Sequence, residues 1–279
     1  MTLENIIKDA SQCLKNYNIY SHQLDAQLIL ANILGVTREK LIINNNINIS
    51  KKEKNKYDEA IRRRAKSEPV AYILGKKEFW SQDFLVNYST LVPRPETELL
   101  IYKIINYFKN KKANILDIGT GSGCILLSIL KELRKAKGIG IDVSSKAIKI
   151  AKENSINFGL SNRAKFKTIE VDKFYLGKYD LIVSNPPYIP SKDIKNLSKD
   201  IRNYEPFIAL NGGTDGLDVI KKVIYKAQCL LKRKGLLAIE IGNGQYLEVI
   251  KLLATNGFRK ISSEYDCNNN VRCIISTKV

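Results

Sequence analysis

The chain has 279 residues, 44% hydrophobic and 27% charged, which is long enough to bury a large core and too apolar for general disorder. Lys and Arg total 46 against 28 for Asp and Glu, a formal charge of +18 that favours an anionic partner, yet the basic residues are scattered and form no single block. The only histidine, His22, lies far in sequence from every motif below, which excludes a Ser-His-Asp triad and any multi-histidine metal site; the five cysteines contain no C-x-x-C pair, which argues against a zinc cluster or disulfide framework and fits a reducing cytosol.

Residues 1–67 predict a small helical module. Ile6, Ile7, Ala10 and Leu14 recur at helical spacing, as do Leu24, Ala26, Leu28, Ile29, Ala31, Ile33 and Leu34, with Ser21 as N-cap and Gly35 as C-cap. Glu4, Lys8 and Asp9 interrupt the first apolar stretch, so no signal peptide is expected, and no apolar run approaches the roughly 20 residues that span a bilayer. Asn44–Ser50 reads as a polar break, Lys51–Lys66 as a charged helix, and His22 as a surface or packing residue. Across 68–98, Tyr72, Ile73, Phe79, Trp80, Phe84, Val86, Tyr88 and Val92 predict short strands, a hairpin linker that ends at Pro93-Arg94-Pro95.

From 99 to 279 helices and strands alternate: NILDI, GIGID, AKFKTIEV, YDLIVSN and LLAIEIG separated by helical segments, then RKISSEY and VRCIISTK around DCNNN. That pattern predicts an α/β fold, a doubly wound, mostly parallel seven-stranded sheet with an antiparallel hairpin at its C-terminal edge.

The first of these strands runs into Asp117-Ile-Gly119-Thr120-Gly121-Ser122-Gly123 and an apolar helix. Glycines let a backbone turn tightly against a ligand, and the following helix offers free N–H groups. Asp142 ends the second strand, placed to accept from both hydroxyls of a ribose. The spacing departs from the G-x-G-x-x-G that accommodates a pyrophosphate, and Asp117 would repel phosphate while suiting a cationic ammonium. These features favour S-adenosylmethionine over a dinucleotide, with Asp172 at the third strand's end as a candidate for the adenine amino group.

The fourth strand delivers Asn185-Pro186-Pro187-Tyr188 at its carboxyl end, where open parallel sheets bind ligands. A planar NH₂ is a poor nucleophile until it is held. The Asn185 side-chain oxygen and the Pro186 carbonyl can each accept one of its N–H bonds and align the nitrogen with a methyl–sulfur bond. The prolines restrict the backbone and add no competing donor. Tyr188 can lay its ring on the substrate group or near the sulfonium. No metal is required.

With these motifs, EPVAYILG (68–75), EFWSQDF (78–84), LVPRPETE (91–98), YEPFIALNGGTDGL (204–217) and EIG (240–242), nearly the whole chain resembles the HemK/PrmC family of peptide-chain release factor glutamine methyltransferases. The resemblance implies a helical N-terminal domain that docks the substrate, a β-hairpin linker and a methyltransferase domain in the cytoplasm. It implies a cofactor held by Gly119, Thr120, Gly121, Ser122, Gly123 and Asp142, beside the Asp117 read above, with Asn185 nearby, and a substrate glutamine from a Gly-Gly-Gln loop held by Asn185, Pro186, Pro187 and Tyr188. Release factors are the implied partners, with no membrane and no direct nucleic-acid substrate. One departure concerns the adenine: where the family often has an aromatic or apolar residue after the acid, this chain has Lys173, so either the Lys173 stem or Phe174 is expected to cover the ring. The alternatives are a ribosomal-protein glutamine methyltransferase, whose PRPETE stretch is expected to differ, and an adenine-N6 nucleic-acid methyltransferase, which would usually carry an added element for flipping a base. A nucleotide-binding module without catalysis would leave NPPY without a role.

Overall fold

The computed structural model describes residues 2–43 and 48–279, and the chain divides into two compact units, Met1–Lys76 with Ser198–Tyr204, and Lys77–Leu197 with Glu205–Val279. The first unit contains helices α1 (Leu3–Asn16), α2 (His22–Leu34), α3 (Arg38–Ile43), α4 (Lys51–Ala65) and α5 (Val70–Leu74). Of the polar break expected at Asn44–Ser50, residues 44–47 lie outside the described residues.

Helix ends follow local chemistry. The Thr2 hydroxyl accepts from Asn5 N, Ser50 and Glu53 form a capping box at α4, and Gly35 closes α2 in the left-handed conformation. Ser21 behaves differently from expectation: it precedes α2, but its hydroxyl donates to Asp25 Oδ2 at 2.7 Å and caps no N–H. Asp25 in turn faces Arg64 Nε at 2.6 Å, both side chains nearly buried. The core around this pair is Leu14, Ile29, Leu30, Leu41 and Tyr57, whose hydroxyl donates to Ala26 O at 3.0 Å. His22 Nδ1 lies 2.8 Å from Ser11 Oγ, a polar tie between α1 and α2. Tyr204 donates to Lys66 O at 3.0 Å, which joins the returning segment 198–204 to this unit.

The expected strand at Tyr72–Ile73 is a helix instead. Pro69 stands at its N-cap, where a fixed φ suits helix entry, and Gly75 ends it at φ +73°. A single turn carries no legible period. The hairpin is confined to β1 (Lys76–Phe79) and β2 (Gln82–Leu85), and Phe79 and Phe84 both enter the core of the second unit. Its two turn residues, Trp80 and Ser81, sit at φ +50° and +54° without a glycine. Trp80 N donates to Glu98 Oε1 at 2.8 Å and its indole N–H to Glu132 at 3.0 Å, which hold the turn in place.

The second unit continues with α6 (Glu98–Phe108), β3 (Asn114–Ile118), α7 (Cys124–Glu132), β4 (Lys137–Asp142), α8 (Ser145–Asn157), β5 (Ala164–Thr168) and β6 (Tyr179–Ser184). After α9 (Lys199–Tyr204, in the first unit) come α10 (Phe207–Leu210), α11 (Asp218–Leu230), β7 (Leu231–Glu240), α12 (Tyr246–Thr255), β8 (Phe258–Tyr265) and β9 (Val271–Lys278). The sheet runs β5-β4-β3-β6-β7-β9-β8, parallel from β5 to β7 and antiparallel at β9 and β8. The predicted seven-stranded α/β sheet with its antiparallel C-terminal hairpin is therefore present, and β9 is the strand inserted beside β7.

Alternating side chains feed two apolar layers. Ile115, Leu181, Val183, Leu236 and Ala238 face the α6–α7–α8 side, whereas Leu116, Ile182, Leu237 and Ile239 face α11 and α12. Each fully buried aliphatic side chain contributes about 1.5–3 kcal/mol, so both faces must be covered. One strand stops early. AKFKTIEV pairs only as far as Thr168; Ile169 N then donates to Asp142 O at 2.8 Å, and the chain turns away across the carboxyl edge of the sheet.

Candidate active site

A cavity of about 360 Å³ opens at that edge. One wall is the β3–α7 loop, where Gly119, Gly121 and Gly123 have φ of +73°, +53° and +81°. A Cβ on Gly123 would also lie 3.1 Å from Leu127 and 3.3 Å from Ala151, so that position is held by packing as well as conformation. The loop is anchored at every turn. Gly119 N and Thr120 N donate to Ile141 O, Gly121 N donates to Asp142 Oδ2 at 2.9 Å, and Ser122 O accepts from Asn154 Nδ2 at 2.9 Å. Asn154, fully buried in α8, also exchanges hydrogen bonds with the backbone of Leu85 in the hairpin, a link no local pattern predicts.

Asp117 does not line the cavity. It is fully buried behind the loop, where Oδ2 accepts from Thr120 Oγ1 at 2.6 Å and Oδ1 has no hydrogen-bond partner. Burial pushes its pKa up to about 7, against the lowering effect of the Thr120 bond. Any role toward an ammonium group is therefore electrostatic, through the loop. Asp142 does line the cavity, with Oδ1 accepting from Ser144 N at 2.9 Å. Each of its oxygens keeps a lone pair for a ligand hydroxyl. Asp172 lines it too and is paired with Lys222 Nζ at 2.8 Å, both about half exposed.

Lys173 and Phe174 do not form the expected adenine wall. Lys173 points outward to Glu170 at 3.0 Å, and Phe174 is buried in the α11–α12 side of the core. The apolar wall comes from Ile169, Val171 and Val143, brought there by the early end of β5. Two acids, Asp142 and Asp172, on an apolar-walled cavity and no phosphate-sized basic cradle on the glycine loop suit a cationic nucleoside such as S-adenosylmethionine.

Ser184 ends β6 with its hydroxyl donating to Ile118 O at 2.7 Å, which ties the two strands at the site. Asn185 and Pro187 line the cavity, whereas Pro186 is buried between them. Asn185 Nδ2 donates to Thr97 Oγ1 at 3.2 Å, and Thr97 donates to Glu240 Oε2 at 2.6 Å. The Tyr188 ring is turned away from the cavity, packed toward the α11–α12 side of the core, and its hydroxyl donates to Glu240 Oε1 at 3.2 Å. Burial pushes the pKa of both Tyr188 and Glu240 upward, the latter against the opposing pull of the Thr97 hydrogen bond and Arg272. Gln245 clasps the same turn: Nε2 donates to Tyr188 O at 3.0 Å and to Gly216 O at 3.2 Å, while Oε1 accepts from Gly242 N at 2.9 Å. At the mouth, Arg94 pairs with the buried Glu205 at 2.6 Å. Thr97, Glu240, Gln245 and Asn154 carry no individual signal in the sequence. Thr97 and Glu240 do fall inside the PRPETE and EIG stretches, which are the pieces that meet here.

A sheet of this order, with a glycine loop after β3 and an acid ending β4, defines an S-adenosylmethionine-dependent methyltransferase. Residues 109–274 match the model of a methyltransferase domain, and residues 5–75 match the PrmC N-terminal domain. Among solved structures, a methyltransferase from Pyrococcus furiosus superposes with a TM-score of 0.53 at 18% identity, covering 70% of this chain and 88% of that one. The chain is 40% identical to the release factor glutamine methyltransferase of Buchnera aphidicola subsp. Schizaphis graminum, over 99% of this chain and 98% of that protein. It is 36% identical to the one from Caulobacter vibrioides, over 100% and 97%. This chain belongs to the release factor glutamine methyltransferase family.

Proposed function

We propose that this chain transfers the methyl group of S-adenosylmethionine to the side-chain amide nitrogen of the glutamine in the Gly-Gly-Gln motif of peptide-chain release factors. The observation that carries the reading is Asn185 at the cavity wall with its amide N–H committed to Thr97, which leaves Oδ1 as an acceptor for an amide N–H. When bound, S-adenosylmethionine supplies an electrophilic methyl on a cationic sulfur. Asn185 Oδ1 and the Pro186 carbonyl accept the two N–H bonds of the glutamine amide and orient its nitrogen, a proximity effect. The same two acceptors weaken the N–H bonds, so that one amide proton would leave to water as the methyl–sulfur bond breaks in favour of the N–C bond, with S-adenosylhomocysteine as the leaving product. Asp142 holds the ribose, and Ile169 and Val171 flank the adenine. Pro187 forms the nearby wall, while Tyr188 shapes the turn from behind. A glutamine flanked by glycines suits a narrow entrance, because its neighbours bring no side chains. The helical first unit serves as the docking surface for the folded factor.

The test is mass spectrometry of a purified release factor after incubation with the chain and S-adenosylmethionine. A single added methyl on the Gly-Gly-Gln glutamine is expected, with ribosomal proteins and DNA unlabelled in parallel. Labelling of either of those, with the release factor unmodified, overturns the proposal.

A further inference from the structure

An asparagine side chain is nearly symmetric in shape, and only its hydrogen bonds decide which end faces a ligand. At Asn185 the choice matters for the proposed reaction, since an NH₂ presented to a substrate NH₂ sets donor against donor. Asn185 follows β6 outside any regular element, and its side-chain amide donates to Thr97 Oγ1. The choice is made two steps away.

Thr97 is 2% exposed, and its hydroxyl has one proton to give. That proton points to Glu240 Oε2 at 2.6 Å, so the oxygen is left as an acceptor and meets Asn185 Nδ2 at 3.2 Å. Glu240 is 1% exposed, and its second oxygen accepts from Tyr188 at 3.2 Å. Both Glu240 oxygens thus accept from hydroxyls, which sets the direction of the whole chain from its buried end. We propose that Glu240, acting through Thr97, is a positioning residue that turns the Asn185 carbonyl oxygen toward the acceptor nitrogen. The proposal rests on the role given to Asn185 above, and it assigns a task to Thr97 of the PRPETE stretch and Glu240 of EIG.

Burying a carboxylate costs free energy that packing alone would not require, and here the cost falls where the Thr97 hydroxyl is aimed. Burial acts most strongly against the ionised form of Glu240 and Glu96 adds to that, while the Thr97 hydrogen bond, the Arg272 charge and the Tyr188 hydroxyl favour it. A threonine without the carboxylate would rotate freely between donating to Asn185 Oδ1 and accepting from Nδ2. With the carboxylate it has one arrangement.

The test compares Thr97→Val, which keeps shape and loses the hydroxyl, with Thr97→Ser, which restores it. In the full chain bound to S-adenosylhomocysteine and labelled with ¹⁵N-asparagine, the Asn185 side-chain amide is assigned by its absence in Asn185→Ala. Its hydrogen exchange should be slow in the wild type and in Thr97→Ser, and faster by about tenfold or more in Thr97→Val, as for an amide that has lost its partner. With release factor as acceptor, Thr97→Val should lower kcat about tenfold or more with KM for S-adenosylmethionine nearly unchanged, Thr97→Ser should recover most of it, and Thr97→Val should add little in an Asn185→Ala background because the two act as a unit. Thr97→Ala is the second variant should valine fail to fold, with the same outcomes expected. An Asn185 amide equally protected without the Thr97 hydroxyl, or rate losses that multiply in the double variant, overturns the relay. The exchange measurement needs no methyl acceptor, so a wild type that leaves release factor unmodified would overturn the substrate assignment and leave the relay separately decided.

Discussion

Asp142 is the residue whose loss separates scaffold from ligand. Its two carboxylate oxygens accept from Gly121 N and Ser144 N, both at 2.9 Å, so Asp142→Ala loosens the glycine loop and the entry to α8 as well as any ribose contact. A hydrogen bond to a charged acceptor is worth about 1.5–3 kcal/mol, so two ribose hydroxyls would account for about 3–6 kcal/mol, or roughly 10²–10⁴ in affinity. Calorimetry on the variant alone would mix the two effects. A cycle resolves them: S-adenosylhomocysteine and its 2′-deoxy and 3′-deoxy analogues are titrated into the wild type and Asp142→Ala. Removing either hydroxyl should cost the wild type about 10-fold or more and the variant about 3-fold or less, because the partner is already gone. The freed N–H groups border an open cavity where water can reach them, so the melting temperature should fall by only a few degrees. If each hydroxyl deletion costs the variant as much as the wild type, Asp142 acts on the loop alone and the ribose is held elsewhere.

Asn185→Ala should lower the rate with saturating substrates by roughly 10², the scale for removing one preorganised polar group, while thermal unfolding stays near wild type. Asp25→Ala should destabilise the chain by about 3–5 kcal/mol in urea unfolding, because it strands the nearly buried Arg64 guanidinium, whereas replacing both partners with apolar residues should recover most of that loss. The Asp117 carboxyl has an ordinary value of 3.8 and is raised to about 7 by burial, so the folded protein holds a proton that the unfolded chain releases. Stability should therefore decline as pH rises from about 4 to about 7 and level off above that, by up to ~4 kcal/mol. Asp117→Asn should lack this component, so its unfolding free energy relative to wild type should rise between pH 5 and pH 8; a pH-independent difference would place the proton elsewhere.

The parallel strands were legible because both faces are covered, and a strand buried on both sides must read as a near-continuous apolar run between turn residues. The C-terminal hairpin was legible for the opposite reason: RKISSEY is a polar edge, and DCNNN can only be a turn. Where reading failed, a local signal was too short to carry a period. Tyr72-Ile73-Leu74 is apolar in strand and helix alike, and the outcome was set by Pro69 before it and Gly75 after it. AKFKTIEV has strand composition throughout, yet its last residues leave the sheet after Ile169 N donates to Asp142 O, the end of the strand it pairs with.

The site divides along the same line. Residues 119–122, Asp142, Asn185 and Pro187 do line the cavity, each in a contiguous segment whose chemistry is local to it, whereas the Tyr188 ring faces the core instead. The apolar wall of the cavity was not legible, because it depends on where β5 stops, which moves Val171 in and turns Lys173 out. Nor was the support behind Asn185, since Thr97 is 88 residues from Asn185 and 143 from Glu240. A hydrogen bond between such distant segments leaves no spacing to detect. What a sequence does register is its result: PRPETE, NPPY and EIG stand out as motifs although only one of them bears obvious chemistry. Glu240, buried between Ile239 and Ile241 at the end of β7, is the kind of residue that reports such a link, because a buried carboxylate is tolerated only where distant hydrogen-bond or charge partners meet it.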